Sequence, residues 1–189
     1  MLGAVLRASW EPREGYEPSA VEVREKRAKY GSRVWRYPVL SLEELPKPEA
    51  GPGDLLIRVG ACGICGSDVH MCERDEEGYM LYPGLTKLPC VIGHEFAGVV
   101  EEVGEGVEEF EEGDLVTSEE MLWCGECTPC RCGFPNHCER LEELGFTVDG
   151  AMAEYVRVSA KYCWKLDDLL TVYRSEEDAV EAGALVEPT

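Results

Sequence analysis

Four cysteines constrain this chain more than any other feature. Cys124, Cys127, Cys130 and Cys138 follow one another at gaps of three, three and eight residues. That spacing brings four thiolates round one tetrahedral centre. Zn²⁺ suits such a cage, because it accepts soft sulfur ligands and has no redox chemistry or d-electron geometry to satisfy. Gly125, Pro129, Gly133 and Pro135 lie in or beside the same loop, a composition that would not hold its shape alone. A closed four-sulfur site leaves no position for a substrate, so the zinc expected there is structural. The chemistry must come from elsewhere in the chain.

At 189 residues the chain is one ordinary domain, alone or with an extension, and is long enough to bury a core. No stretch reaches the ~18 apolar residues of a membrane span. The start, MLGAVLRASWEP, lacks a basic segment leading into an apolar run and a cleavage site. Ten cysteines without such a signal point to a reducing, cytoplasmic compartment and to metal binding in preference to a disulfide framework. The net charge is −20. Ten acidic and no basic residues lie between Glu101 and Glu120, which makes nucleic acid or an anionic membrane a poor partner. The acidic run reads as a solvated face.

Hydrophobic patterning gives a mostly β chain. Strands are expected at Leu2–Ala8, Val34–Leu42, Leu55–Ala61, 151–159 and 161–166, with strand-like runs within Ile92–Val116. A polar insertion occupies 9–33, with a helix predicted over Val21–Tyr30. Residues 46–54 (PKPEAGPGD) are turn chemistry, and Gly104-Glu105-Gly106 is a turn that lacks the third glycine of a dinucleotide fingerprint. Ser175 is placed to cap a helix over 175–186. Short strands separated by Gly/Pro turns predict a barrel-like core with few helices.

A second constellation combines ACGICGSDVH (61–70) with GHEFAGVVEEVGEGV (93–107). Cys65, His94 and Glu95 are zinc-ligand types that would have to meet in space. Singly, each has a plainer explanation, a small buried hydrophobe or a core histidine. Together, with a structural zinc loop about 30 residues on, they point to a second metal centre.

GHEFAG followed by Gly104 resembles the zinc signature of the zinc-dependent medium-chain alcohol dehydrogenase family. CGICGSDVH resembles that family's catalytic cysteine loop, and the four-cysteine spacing its structural-zinc lobe. The resemblance runs from about Pro46 to Thr189 and is nearest to the polyol and threonine dehydrogenase branch. The insert before VWRYP, with MLWCGECTPC and ELGFTVDGAMAEY, is similar to inositol- or inosose-type dehydrogenases. It implies a GroES-like partly open β-barrel with a zinc-binding lobe at 121–140. It implies two zincs per chain, with NAD or NADP as hydride acceptor and a small alcohol or polyol as substrate. Cys65 and His94 would ligate the catalytic zinc, with Glu95 as ligand or near-ligand and Glu187, in LVEPT, at a further ligand position. Asp68 would accept the second ring N–H of His94. Ser67 and His70 would relay the alcohol proton. A zinc held by three protein ligands keeps a fourth position for a substrate oxygen, and it lowers the pKa of bound water from ~15.7 to about 7.

Enzymes of that family carry a doubly wound nucleotide-binding (Rossmann) domain after the catalytic one. Residues 1–189 contain no G-x-G-x-x-G. An expressed fragment, a split or shortened gene, and a protein without that domain all accord with this. The expectation is no turnover from these residues alone, a partnering nucleotide-binding domain, and apolar surface favouring homo-oligomers. Two rivals stand beside the dehydrogenase: a non-catalytic zinc-binding interaction protein on the same fold, and a thiol redox module using Cys62 and Cys65. Cys132 reads as a spare thiol, Cys72, Cys90 and Cys163 as packing residues, and His137 as exposed. Tyr79 and Tyr82 either line a substrate pocket or pack locally.

Overall fold

A computed structural model describes residues Met1–Thr189. Its strands, in chain order, are β1 (Leu2–Trp10), β2 (Arg27–Ala28), β3 (Trp35–Glu44), β4 (Asp54–Cys62), β5 (Thr86–Lys87) and β6 (Cys90–Val91). They continue as β7 (Phe96–Val103), β8 (Leu115–Ser118), β9 (Met121–Leu122), β10 (Glu142–Glu143), β11 (Tyr155–Ser159) and β12 (Cys163–Lys165). The helices are short: α1 (Ala20–Glu25), α2 (Gly66–Cys72), α3 (Thr128–Arg131), α4 (Leu169–Val172) and α5 (Glu176–Gly183).

The strands form an antiparallel five-stranded sheet of order β11-β4-β7-β8-β12 and a three-stranded sheet of order β3-β1-β6, with two-stranded ribbons β10-β9 and β2-β5. Leu55, Leu56 and Ile57 of β4 are all fully buried. Such a run, apolar on both faces, belongs inside a sheet, and β4 lies between β11 and β7. Register shifts between Leu56 and Ile57 and between Val59 and Ala61 mark bulges that curl β4 against β7. The two sheets are stitched by Ala4 N–H donating to Met152 O at 2.8 Å, Glu154 N–H to Leu2 O at 3.1 Å, and Val59 N–H to Glu154 O at 3.0 Å. The result is a partly open barrel, as the sequence predicts.

The core divides into two main clusters. Leu55, Ile57, Phe96, Val100 and Leu144 pack on the five-stranded sheet. Leu6, Trp35, Met71, Ile92 and Phe146 pack under the three-stranded one. Where β7 ends, Gly104 lies so close to the 46–54 turn that a Cβ would sit 1.9 Å from the Gly51 carbonyl oxygen, so only glycine fits.

The predicted helix over Val21–Tyr30 is half the expected length. Ser19 caps α1, and Lys26 ends it in the left-handed region at φ 51. Arg27 and Ala28 then leave to pair with Lys87 and Thr86. The 9–33 segment is therefore woven into the barrel, and Ala28 is fully buried. At the other end α5 matches its prediction, with Ser175 Oγ accepting from Asp178 N–H at 3.1 Å.

Candidate metal centres and substrate cleft

Between β9 and β10 the chain makes a lobe with only short turns of helix and no buried residue between Cys124 and Arg140. Cys124, Cys127, Cys130 and Cys138 nevertheless converge. Their sulfurs stand 4.0 Å (Cys124–Cys130), 3.4 Å (Cys127–Cys130) and 3.9 Å (Cys127–Cys138) apart. Sulfurs at the Zn–S distance of about 2.3 Å round a tetrahedron stand about 3.8 Å apart. No disulfide joins any pair. Backbone N–H groups of Glu126 and Cys127 donate to Cys124 Sγ at 3.4 Å, and those of Cys124 and Arg140 to Cys138 Sγ at 3.3 and 3.4 Å. Donors of this kind favour thiolate. Led by the Cys127 N–H, they bring Cys124 down to about 6. The donor set fits zinc. Cys132 and His137 point away as exposed residues.

The second centre is built from the core. His94 and Glu95 precede β7, and Cys65 caps α2. Their ligand atoms lie within 4.8 Å of one another. Gly93 makes the approach possible: its φ is +92, and a Cβ there would stand 2.5 Å from Met152 Cγ and 2.9 Å from Cys62 Sγ. The His94 ring, 3% exposed, stacks on Phe146 with centroids 5.0 Å apart. One thiol, one imidazole and one carboxylate suit a zinc that keeps an open position.

Glu187 stands outside that three-residue group but close enough for the charges of His94 and Glu95 to act on it; burial pushes it upward. It lines a cleft of about 500 Å³ together with Glu119, Glu120, Trp164 and Val186. On α2, Ser67 Oγ is buried without a hydrogen-bond partner. His70, three residues on, is exposed with Nδ1 3.4 Å from Glu73 Oε2. Asp68, 2% exposed, departs from the expected hydrogen bond to His94. Its Oδ2 accepts from Cys65 N–H at 2.9 Å, and its Oδ1 stands 4.0 Å from His94 Nδ1. Both of those facing atoms are buried and unpartnered. The carboxylate is aligned on the imidazole but drawn towards the helix start.

Phe146, Glu120 and Glu143 carried no individual signal in the sequence. Phe146 packs between His94 and Tyr82, the latter at 4.9 Å. Burial first, then the charges of Glu143 and Glu120, raise the Tyr82 hydroxyl. Tyr79 is instead a core residue, 7% exposed, under the Arg13 guanidinium at 4.2 Å. Glu120 is pushed up to about 7 by burial, then by the charges of Glu143 and Glu187. Burial pushes Glu143 up to about 6. Burial also holds the Cys62 thiol up at about 12, which opposes a reactive thiolate there. Cys90 and Cys163 are buried, and Cys72 packs against the second core cluster.

Residues 51–168 match the alcohol dehydrogenase GroES-like domain. The scyllo-inosose 3-dehydrogenase of Thermotoga maritima is 54% identical over 196 aligned residues, which cover 100% of this chain and 49% of that protein. A solved Thermotoga maritima structure, provisionally described as an alcohol dehydrogenase, superposes with a TM-score of 0.94 at 52% identity, covering 99% of this chain and 49% of that one. A Sinorhizobium meliloti structure bound to NADP, provisionally described as a zinc-binding dehydrogenase, superposes at 0.64 with 29% identity, covering 96% and 42%. The chain thus spans about half the length of the relatives it matches. No helix is long and apolar enough to cross a membrane.

Proposed function

We propose, since this chain belongs to the alcohol dehydrogenase GroES-like domain family, that it is the zinc-bearing half of an NAD(P)-dependent dehydrogenase acting on an alcohol or polyol. One observation carries the reading: Cys65, distant in sequence from His94 and Glu95, brings its sulfur within 4.8 Å of their ligand atoms.

Cys65, His94 and Glu95 would hold the catalytic zinc, with Glu187 poised as a further ligand. The four cysteines of the lobe would hold a structural one. Zinc at the first centre supplies a Lewis acid that favours negative charge on the substrate oxygen.

The chain's own residues do the rest. Ser67 Oγ, free of other hydrogen bonds, takes the substrate hydroxyl proton as it gives up its own in the direction of His70. Residues three apart share a helix face, so α2 sets Ser67 and His70 on one line from cleft to solvent. His70, exposed beside Glu73, passes the proton to water. Asp68, with Oδ1 4.0 Å from His94 Nδ1 and no hydrogen bond between them, acts on the ring through its charge alone. Phe146, buried against the His94 ring, holds that ring in place.

The nicotinamide would be held by a nucleotide-binding portion outside these 189 residues. Exposed Trp164, Leu185 and Val186 beside Glu187 offer that portion an apolar face. Without it, hydride transfer loses its orienting partner. The protein joined to that portion is expected to reduce NAD(P)⁺ with a polyol, and His94→Ala to cost at least about a thousandfold in kcat/KM. Undiminished turnover in the variant, or none from a fully zinc-loaded protein with any alcohol or polyol, contradicts the reading.

A further inference from the structure

We infer that Arg13 and Asp75 are positioning residues for the proton path: their pair ties the 9–33 segment to the loop that leaves α2, and so holds His70 in line with Ser67. The inference rests on the dehydrogenase reading for the path itself and adds the part of the chain that sets it.

Helix α2 carries both proton-handling groups but has only seven residues. So short a helix does not hold itself. Its first turn is fixed at Cys65, whose N–H donates to Asp68 Oδ2 at 2.9 Å. Its last turn is fixed from outside. The His70 carbonyl accepts from the N–H groups of Leu81 at 3.1 Å and Tyr82 at 3.0 Å. Both donors follow the returning arm of a small hairpin in which Arg74 pairs with Met80. The His70 ring is exposed beside Glu73, so its place follows the backbone beneath it.

Asp75, just beyond α2, organises the hairpin turn. Its Oδ1 accepts from the N–H groups of Glu77 and Tyr79, both at 3.0 Å, and its own N–H donates to Tyr79 O at 2.8 Å. Its Oδ2 accepts from the Arg13 guanidinium. That guanidinium also lies over the Tyr79 ring at 4.2 Å and reaches Glu77 Oε2 at 3.5 Å. Arg13 is seated by backbone in turn, its N–H donating to Arg33 O at 2.8 Å. The returning arm is anchored separately on the start of β3, through Met80 N–H to Trp35 O at 3.0 Å and Tyr37 N–H to Gly78 O at 2.7 Å. The arm that leaves α2 is tied through Arg13. Both members of the pair are half-buried, so their attraction alone is worth little. What Arg13 adds is direction, because a planar fork and an aromatic contact converge on one turn. Without it the end of α2 that bears His70 is free to swing, while the end that bears Cys65 stays. Proton transfer needs its partners within hydrogen-bond reach, and small misplacements slow it steeply.

The test uses the protein joined to its nucleotide-binding portion, with whichever member of an alcohol and polyol panel it turns over. Arg13→Ala is expected to slow single-turnover formation of NAD(P)H about tenfold, with zinc content unchanged. Arg13→Lys, a point charge in place of the fork, should restore part of the rate. The Leu81 and Tyr82 amides should exchange at least about tenfold faster in Arg13→Ala. His70→Ala separates positioning from general loosening: if Arg13 acts through His70, adding Arg13→Ala to His70→Ala costs nothing further. Should Arg13→Ala fail to fold, Asp75→Asn, which keeps an acceptor for the turn and drops the charge, carries the same readouts. Full additivity with His70→Ala would overturn the inference, as would an unchanged rate, unchanged amide exchange, or loss of zinc in the variants. Absence of turnover in the unaltered, zinc-loaded protein would sink the dehydrogenase reading and the path with it. Turnover that is equally fast in Arg13→Ala would sink this inference alone.

Discussion

The two candidate metal centres are built in opposite ways. In the cysteine lobe all four ligands lie within one loop, Cys124 to Cys138, with no buried side chain beneath them. The donors are local and the scaffold is thin, so the proposed metal would itself be the core. At the other centre the ligands come from the start of α2 and the start of β7. There the scaffold is the barrel: His94 rests on Phe146, and Gly93 lets the chain pass. A metal that makes a fold needs only spacing. A metal that serves a substrate needs a rigid, long-range frame with one side left open.

This contrast is sharpest on metal removal. Structural zinc in small sites contributes about 10–16 kcal/mol of binding free energy at neutral pH. Chelation, or Cys127→Ser, is therefore expected to melt residues 121–140 while the five-stranded sheet keeps its protection, read by hydrogen exchange. Loss of protection across the whole barrel would break the distinction.

Phe146→Ala tests the other centre. Phe146 is 1% exposed and supports both His94 and Tyr82, so about 3–5 kcal/mol of stability should be lost in denaturant unfolding. Zinc at the Cys65 centre should weaken while the lobe keeps its own. Gly93→Ala is expected to cost about 1–3 kcal/mol, because φ +92 and the Met152 and Cys62 contacts both oppose a Cβ. Equal zinc loss from both centres in either variant would erase the comparison.

Spacing made the lobe legible because its ligands are local. The strand pattern was legible for the same reason: β1, β3, β4 and β7 alternate or run apolar over eight or more residues. The α2 helix was not, since GSDVHMC is too short and too polar to show a period; Ser67, Asp68 and His70 entered only through a family resemblance. Helix α1 was overdrawn because pairing of Arg27–Ala28 with β5 is a long-range effect that propensity does not contain. The acidic run was read as solvated; five of its ten acidic residues are exposed and four are half-buried. Asp114 is the exception, 7% exposed and paired with Lys165 at 2.6 Å. Glu120 is half-buried where Leu144, just after β10, pairs with its carbonyl.

The smallest expected effect concerns pH. In the metal-free protein Glu120 is raised from its ordinary 4.5 to about 7. Between those values the folded form holds a proton that the unfolded chain has lost, so stability falls as pH rises through the window. Glu120→Gln should raise the melting temperature at pH 8 and change little at pH 4.5. Zinc at the neighbouring centre favours the carboxylate and should shrink the difference, whereas zinc in the lobe alone should not. A pH response identical with and without zinc would place Glu120 outside the reach of that centre.

Zinc content of the purified chain, compared with that of Cys65→Ser, tests most directly whether two independent centres share this fold. Two zincs per chain falling to one in the variant is the expected result. One zinc in both proteins would contradict it, leaving the cysteine lobe as the only metal site these residues can load.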